Sequence, residues 1–488
     1  RVTWGKPIEF IFSLLGYMVG LGNLWRFSYL CFKNGGGAFL VPYLLSVAVF
    51  GLPMYIFEIA IGQFTQQGKL NAWDRIPIMK VCGWILKQSS TSTQHTLANS
   101  RTMRDILTLL AHFLYYVLRL PNEQDSIYGG FNWPMLICLV LSYLSIVAIT
   151  IKGIKSSGKV VYISATLPYL MIIVLLIRGL TLDGALNGIS KLLIPKFEEL
   201  ANTQVWIEAA SQVLYTYAIG FASLTTFSSY NNFNNNFYRQ ALILVPVGAF
   251  TSLLMGLMTF SYLGHMASVL GVNVDKILKS GPGLIFQVIP LGFSLLPLPQ
   301  LWSVLFFGMF YFVAVDSFSD FDALVTSILD IFPRFKGTGR RRVLANFAVA
   351  FVLFVASCTQ LTSSGIYIFE FIFYYGASGI ILLLLALCES LSVGWLWDVN
   401  QFAIDLEKMT GDKLSLWFKL CYRYFIPAIT SSIFLFYCAK WTPLKVGDFV
   451  YPVWANLLGW ILSLCSLLWI PGVFIYVLYK GRGSMKQV

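Results

Sequence analysis

Residues 16–27 read Gly16-Tyr17-Met18-Val19-Gly20-Leu21-Gly22-Asn23-Leu24-Trp25-Arg26-Phe27. Each of the three glycines, Gly16, Gly20 and Gly22, lowers helix stability by about 1 kcal/mol relative to alanine. The run lies in an otherwise apolar stretch, where that loss makes sense if the backbone is meant to open. An unwound segment offers carbonyls to a cation and, at the start of the next half-helix, amides to an anion. Asn23 adds a side-chain oxygen. Glycines for close helix packing are the other reading; Asn23 and Arg26 in the same run weigh against it. The second group with chemistry is Asp316, a carboxylate in the apolar run 299–329. A carboxylate in lipid is expensive and usually functional, although a structural hydrogen-bond anchor is the competing role. No nucleophile–base constellation accompanies these residues, and the histidines are only His95, His112 and His265. An enzyme is not expected.

The elements that position these groups must be membrane helices. The chain is 57% hydrophobic and 11% charged, against about a quarter charged in soluble domains. Its mean hydropathy is +0.72. The net charge of +12 sits in short loops, which fits positive-inside topology and gives no reason to expect a nucleic-acid partner. The eight cysteines are scattered through apolar runs, with neither metal-ligand spacing nor a disulfide framework. The chain opens on Arg1 rather than Met, so a piece of a longer protein is expected, with no cleavable signal peptide.

A spanning helix needs about 20 apolar residues. Such runs lie near 8–29, 37–61, 132–151, 160–181, 206–229, 241–270, 299–329, 343–361, 365–388, 424–439 and 455–479, which predicts eleven spans in one integral bundle. Basic loops around Lys69–Lys80, Lys152–Lys159, Arg239, Arg334–Arg342, Lys408–Arg423 and Lys480–Lys486 read as cytoplasmic. This leaves a parity problem between residues 80 and 152. Residues 85–105 are polar, and the apolar stretch Ile106–Leu118 has 13 residues. Such a stretch covers roughly 20 Å of a roughly 30 Å core. A spanning helix is expected to be missing there.

The run 4–68 resembles the first two helices of the sodium- and chloride-coupled neurotransmitter and amino-acid symporters. The segments Asn34-Gly35-Gly36-Gly37-Ala38-Phe39, Gly62-Gln63-Phe64, Lys152 to Tyr162, and Ser229-Tyr230-Asn231-Asn232-Phe233 through Arg239 extend the likeness. It covers nearly the whole chain except 85–112. The resemblance implies a single transporter domain over 1–488 with two inverted repeats and broken helices 1 and 6. Residues 1–84 would hold helices 1 and 2, 85–131 a truncated helix 3 and extracellular loop, and 132–488 helices 4 to 12.

The resemblance also implies the sites. One sodium ion would be held by carbonyls of Gly16, Val19 and Val313 and by the side chains of Asp316 and Ser317; oxygens including a carboxylate suit a hard cation. The other would take the Met18 carbonyl, Asn23 and Thr216, but Gly248 stands where the family has an asparagine, so this site looks damaged. Chloride would meet Tyr43, Gln212, Thr216 and Ser252. Gly20 stands where the amine transporters have Asp, which leaves room for a zwitterionic substrate that brings its own carboxylate. That carboxylate would meet amides near Leu21 and Gly22, with Tyr17, Tyr215, Ala218 and Phe221 as the remaining wall. Residues 229–239 look most like the GABA, taurine, betaine and creatine branch.

At the inner gate, Arg1 with Trp4 matches the amino-terminal latch and Asp330 its acidic partner. At the outer gate, Arg26 matches the family arginine. Its expected acidic partner is replaced by Phe373, and Glu370 either substitutes for it or simply faces a polar pore wall. Pro77–Trp84 and Val117–Leu120 look like the flanks of an absent helix 3. Two functions are therefore expected as alternatives: a sodium-coupled, chloride-assisted symporter of a small amino acid in the plasma membrane, with both termini cytoplasmic, or a transport-impaired form acting by association. A homo-oligomer is a possible partner state.

Overall fold

The structure, a computed structural model, describes residues 3–24, 26–67, 72, 131–151, 153–221, 223–274, 289–316, 318–331, 339–362, 365–377, 380–439, 444–446 and 449–467. The proposed absence of helix 3 and the flanks Pro77–Trp84 and Val117–Leu120 lie outside these residues.

The helices are α1 Pro7–Met18, α2 Leu21–Leu24, α3 Arg26–Lys33, α4 Leu40–Ser46, α5 Leu52–Thr65, α6 Trp133–Thr150, α7 Ile154–Leu180, α8 Ala185–Leu193, α9 Thr203–Thr216, α10 Ser223–Ser228 and α11 Phe237–Leu270. There follow α12 Ile289–Ser294, α13 Pro299–Val315, α14 Phe318–Ile331, α15 Gly339–Cys358, α16 Gly365–Ile372, α17 Ile380–Leu391, α18 Val399–Thr410, α19 Leu416–Leu420, α20 Ile426–Ala439 and α21 Val453–Leu467. Among the described residues the sole sheet is an antiparallel ribbon pairing Lys445–Val446 with Phe449–Val450. The fold is an all-α polytopic membrane bundle.

Each predicted apolar run falls on a helix or a broken pair. Among the described residues, six helices are long and apolar enough to cross a membrane by themselves, or seven if the bent pair Pro7–Met18 and Gly22–Lys33 is one span. The eleven runs and the six spans differ because several runs are interrupted. Run 206–229 divides into α9 and α10, run 365–388 contains a π turn at Phe373–Ala377, and run 455–479 extends beyond the described residues.

Outward faces are apolar, as lipid requires. Ile137 and Leu141 on α6, Val304 on α13, and Phe351 and Val352 on α15 are each more than half exposed, a pattern that water would not tolerate as a contiguous surface. Proline is accepted inside α7 (Pro168) and α11 (Pro246), where neighbouring helices re-satisfy the freed backbone. Loop entries carry side-chain caps: Asn202 accepts from the Gln204 amide and Asn236 from the Arg239 amide.

Two buried cores meet at the first helix. Phe10, Leu14 and Met18 join one with α5, α9 and α11; Val19 and Leu24 join the other with Ile172, Met255 and Val313. The glycine-rich run therefore stands at the seam between the two cores, with α1 packed on α7, and α7 on α13.

Candidate functional site

Helix 1 opens where the glycines predict. α1 stops at Met18, the chain bends by 54°, and the second half runs to Lys33. Helix 6 opens as well: α9 ends at Thr216 and α10 begins at Ser223. Between them Ala218 lies at φ +49° and Gly220 at +92°. For alanine the left-handed region carries roughly 1–2 kcal/mol of strain, so something must hold it. Glu58 of α5, 1% exposed, accepts the Gly220 amide on Oε1 at 2.6 Å.

One side of the helix 1 break is acidic. Asp316 caps the C-terminal end of α13 and is 4% exposed. A Cβ on Gly16 would lie 2.5 Å from Asp316 Oδ2, so this carboxylate rests directly on the backbone of α1, and only glycine permits the approach. Val19 and Val313, 3% and 5% exposed, pack in the same core. Two helix C-termini, each the negative end of a helix dipole, thus converge with a carboxylate. Oxygens and negative charge make a donor set that fits a hard cation. Ser317 lies outside the described residues.

The other side carries no carboxylate among the described residues. Asn23, 1% exposed, donates from Nδ2 to the Met18 carbonyl at 2.6 Å. Thr216 Oγ1 accepts from Gln212 Nε2 at 3.2 Å. Gly248 supplies no side-chain oxygen, and the space beside it is occupied. A Cβ there would stand 3.1 Å from Tyr217 Cε1 and 3.4 Å from Met18 Sδ. All three expected ligands are neutral and already engaged, Asn23 with Met18 and Thr216 with Gln212.

A cluster of neutral donors lies behind it. Tyr43 on α4 donates to Ser252 Oγ on α11 at 3.4 Å, and Gln212 Nε2 reaches both Thr216 Oγ1 and the Gly22 carbonyl. Tyr43, Gln212, Thr216 and Ser252 are all at most 2% exposed. Hydroxyl and amide hydrogens that can turn towards one point fit an anion.

Comparison with known proteins agrees with this arrangement. The sequence profile of the sodium:neurotransmitter symporter family matches residues 1–89 and 85–481. The Bos taurus sodium- and chloride-dependent creatine transporter 1 is 35% identical over 539 aligned positions, covering all of this chain and 85% of the relative. The Torpedo marmorata creatine transporter is 37% identical, covering all of this chain and 87% of that protein. The Mus musculus sodium- and chloride-dependent GABA transporter 2 is 36% identical, covering all of this chain and 88% of that protein. The chain belongs to the sodium:neurotransmitter symporter family. Members of this family are transporters, and the protein is not an enzyme.

The remaining residues expected of a symporter of this family are placed as follows. Tyr17, Gly20, Tyr215 and Phe221 keep partial exposure inside the bundle, and a Cβ on Gly20 or Gly22 would meet nothing within 4 Å. An open crevice therefore borders the break; Ala218 is 8% exposed at its edge, and the side chain of Leu21 lies outside the described residues. Arg26 turns towards α9, donating to Gln212 Oε1 at 3.0 Å and Ser211 Oγ at 2.9 Å, with its guanidinium 4.3 Å above the Tyr215 ring. Glu370 sits partly exposed on α16. Trp4 docks on the other half of helix 6, its ring nitrogen donating to the Phe227 carbonyl and its amide to the Tyr230 carbonyl, both at 3.1 Å. Arg1 lies outside the described residues, and Asp330 is half-buried on α14.

Two acids that the sequence analysis passed over prove central. Glu58 fastens the helix 6 break, and Asp320 on α14 accepts from Tyr17 Oη at 2.6 Å and Ser223 Oγ at 2.5 Å. The signal that marked Asp316, an acid within an apolar run, marks Glu58 equally.

Proposed function

We propose that the chain binds sodium at Gly16, Val19, Val313, Asp316 and Ser317 and couples it, with chloride at Tyr43, Gln212, Thr216 and Ser252, to symport of a small zwitterionic amino acid or derivative. The substrate class is GABA-like or taurine-like, and the work is done at the plasma membrane by alternating access. The observation that carries this reading is the Asp316 carboxylate lying against the Gly16 backbone at the break. Sodium bound there ties α1 to α13 and favours the outward-open arrangement; substrate in the crevice then favours closure. The names of the relatives, transporters of creatine and GABA, support the substrate class.

A second reading, a transport-impaired member, is favoured by two observations. The alignment to the bovine relative runs over 539 positions, more than the 488 residues of the chain, so that relative carries residues without counterparts here. The family match also breaks into two pieces at 85–89, where the polar stretch begins. Radiolabelled uptake of GABA and creatine in cells expressing the chain tests both. Uptake that requires sodium supports symport, and a sodium Hill slope of about two would overturn the impaired reading. Uptake indifferent to sodium would overturn the first. Sequencing the transcript across codons 84–106 checks the gap itself.

A further inference from the structure

Asp320 is a carboxylate in the membrane part of the bundle whose needs the sodium and chloride assignments leave unmet. It stands in the first turn of α14 and is half-buried. Both of its hydrogen bonds, from Tyr17 and from Ser223, arrive at the same oxygen, Oδ1. Both donors are neutral hydroxyls. Two residues further along α14, Asp322 shows the contrasting arrangement: it is 1% exposed and receives Arg342 at 2.6 Å. Among the described residues no lysine or arginine forms such a pair with Asp320. An ionised group in this setting is costly and marks a functional site.

The position of Asp320 says which cation. Its partner Tyr17 belongs to the last turn of α1, directly before the break, and Ser223 opens the second half of helix 6. Both breaks that border the crevice are thereby fastened to Asp320, while its second oxygen, Oδ2, accepts no hydrogen bond among the described residues. Beside the helix 1 break, a Cβ on Gly20 or Gly22 would meet nothing within 4 Å, which leaves room for a ligand. A carboxylate fastened to both breaks, beside open space at the first, is complementary to the cationic end of a zwitterion.

We propose that Asp320 receives the cationic head, an ammonium or guanidinium, of the transported zwitterion, with Tyr17 and Ser223 orienting the carboxylate towards it. The assignment rests on the transporter reading above and deepens it. It also gives a reason for Gly20: the acid that pairs with the substrate's cation enters from α14 instead of from helix 1.

Thermal unfolding of the purified full chain in detergent tests the assignment, with GABA and creatine as cationic probes and butyrate as the probe that keeps the carboxylate and lacks the amine. Sodium is expected to raise the melting temperature of the unsubstituted chain and of Asp320→Asn alike. GABA or creatine should add a further rise in the unsubstituted chain, with apparent affinity at least about tenfold weaker in Asp320→Asn, about 1.4 kcal/mol. Butyrate should not distinguish the two. Tyr17→Phe, which removes one orienting donor and keeps the carboxylate, should show an intermediate loss. Equal amine responses in Asp320→Asn and the unsubstituted chain would overturn the proposal. So would sodium stabilisation without any amine response in the unsubstituted chain. Loss of the sodium response in Asp320→Asn would also overturn it and give the carboxylate to sodium. No sodium response in the unsubstituted chain would instead sink the transporter reading.

Discussion

The two flanks of the helix 1 break are built from the same few residues and differ in charge and in room. Towards α13, Gly16 lets Asp316 approach the backbone, and the local charge is negative. Towards α11, Asn23 is hydrogen-bonded to Met18, and the sulfur of Met18 with the ring of Tyr217 fills the space beside Gly248. Stripping a monovalent cation of water in a low-dielectric interior requires a formal charge or many oxygens. One flank has the charge and the other has neither, so we expect them to diverge sharply when tested.

The largest effect is expected at Asp316. Asp316→Asn keeps the shape and removes the charge, and should weaken sodium binding at least about a hundredfold, near 3 kcal/mol. Sodium titration of the melting temperature of the purified chain measures it. An unchanged midpoint would show that the acidic flank is not the sodium site. Gly16→Ala approaches the same end sterically, because its Cβ would stand 2.5 Å from Asp316 Oδ2.

The second test tries to make the neutral flank resemble the acidic one. Gly248→Asn alone should give no additional sodium site, since its Cβ meets Tyr217 and Met18. Combined with Tyr217→Leu, which clears the nearer ring, it should raise the sodium Hill slope from about one towards about two. If Gly248→Asn alone achieves this, the occupied space does not matter and only the missing oxygen does.

Much of this contrast could be read from the chain before its fold was known. The apolar runs fall on helices because lipid leaves a backbone few other ways to satisfy its hydrogen bonds. The glycines of 16–22 mark a real break, and Asp316 stands out because an acid is costly among Phe312, Val313 and Val315. What escaped depends on distant partners. Asp320, within Ser319-Asp320-Phe321-Asp322, reads locally as an ordinary first-turn acid favoured by the helix dipole; its partners Tyr17 and Ser223 lie 303 and 97 residues away. Glu58 meets Gly220 across 162 residues. Gly248 was legible as a missing ligand, whereas its occupied surroundings were not, because they are set by how Met18 and Tyr217 pack.

A smaller effect is expected at the helix 6 break, which is held under strain while helix 1 bends at glycines. Ala218 sits at φ +49°, so Ala218→Gly should stabilise the purified chain by up to about 1 kcal/mol. The same change should leave the sodium midpoint where it was. If the sodium response weakens while stability rises, the strain at Ala218 is part of what couples the two breaks.

The smallest effect concerns a carboxylate whose cation comes with the chain. Asp412, in the loop after α18, receives Arg239 Nε at 2.9 Å and Nη2 at 2.8 Å, and Asn236 Nδ2 at 2.6 Å. The Arg239 hydrogen bonds, then that of Asn236, hold its carboxyl below the ordinary carboxylate value. A depressed carboxyl stabilises the fold fully above its unfolded value of about 3.9, and that contribution is lost as pH falls through the lower folded value. Asp412→Asn should therefore lower the melting temperature slightly at neutral pH, and the gap to the unsubstituted chain should close in acid below about pH 4. It should not respond to sodium at any pH. Asp316 should show the reverse, with a large sodium response, since it lies in the proposed sodium site. If both acids respond to sodium, the ion is acting by general screening, and the distinction between the two flanks of the break would have to be abandoned.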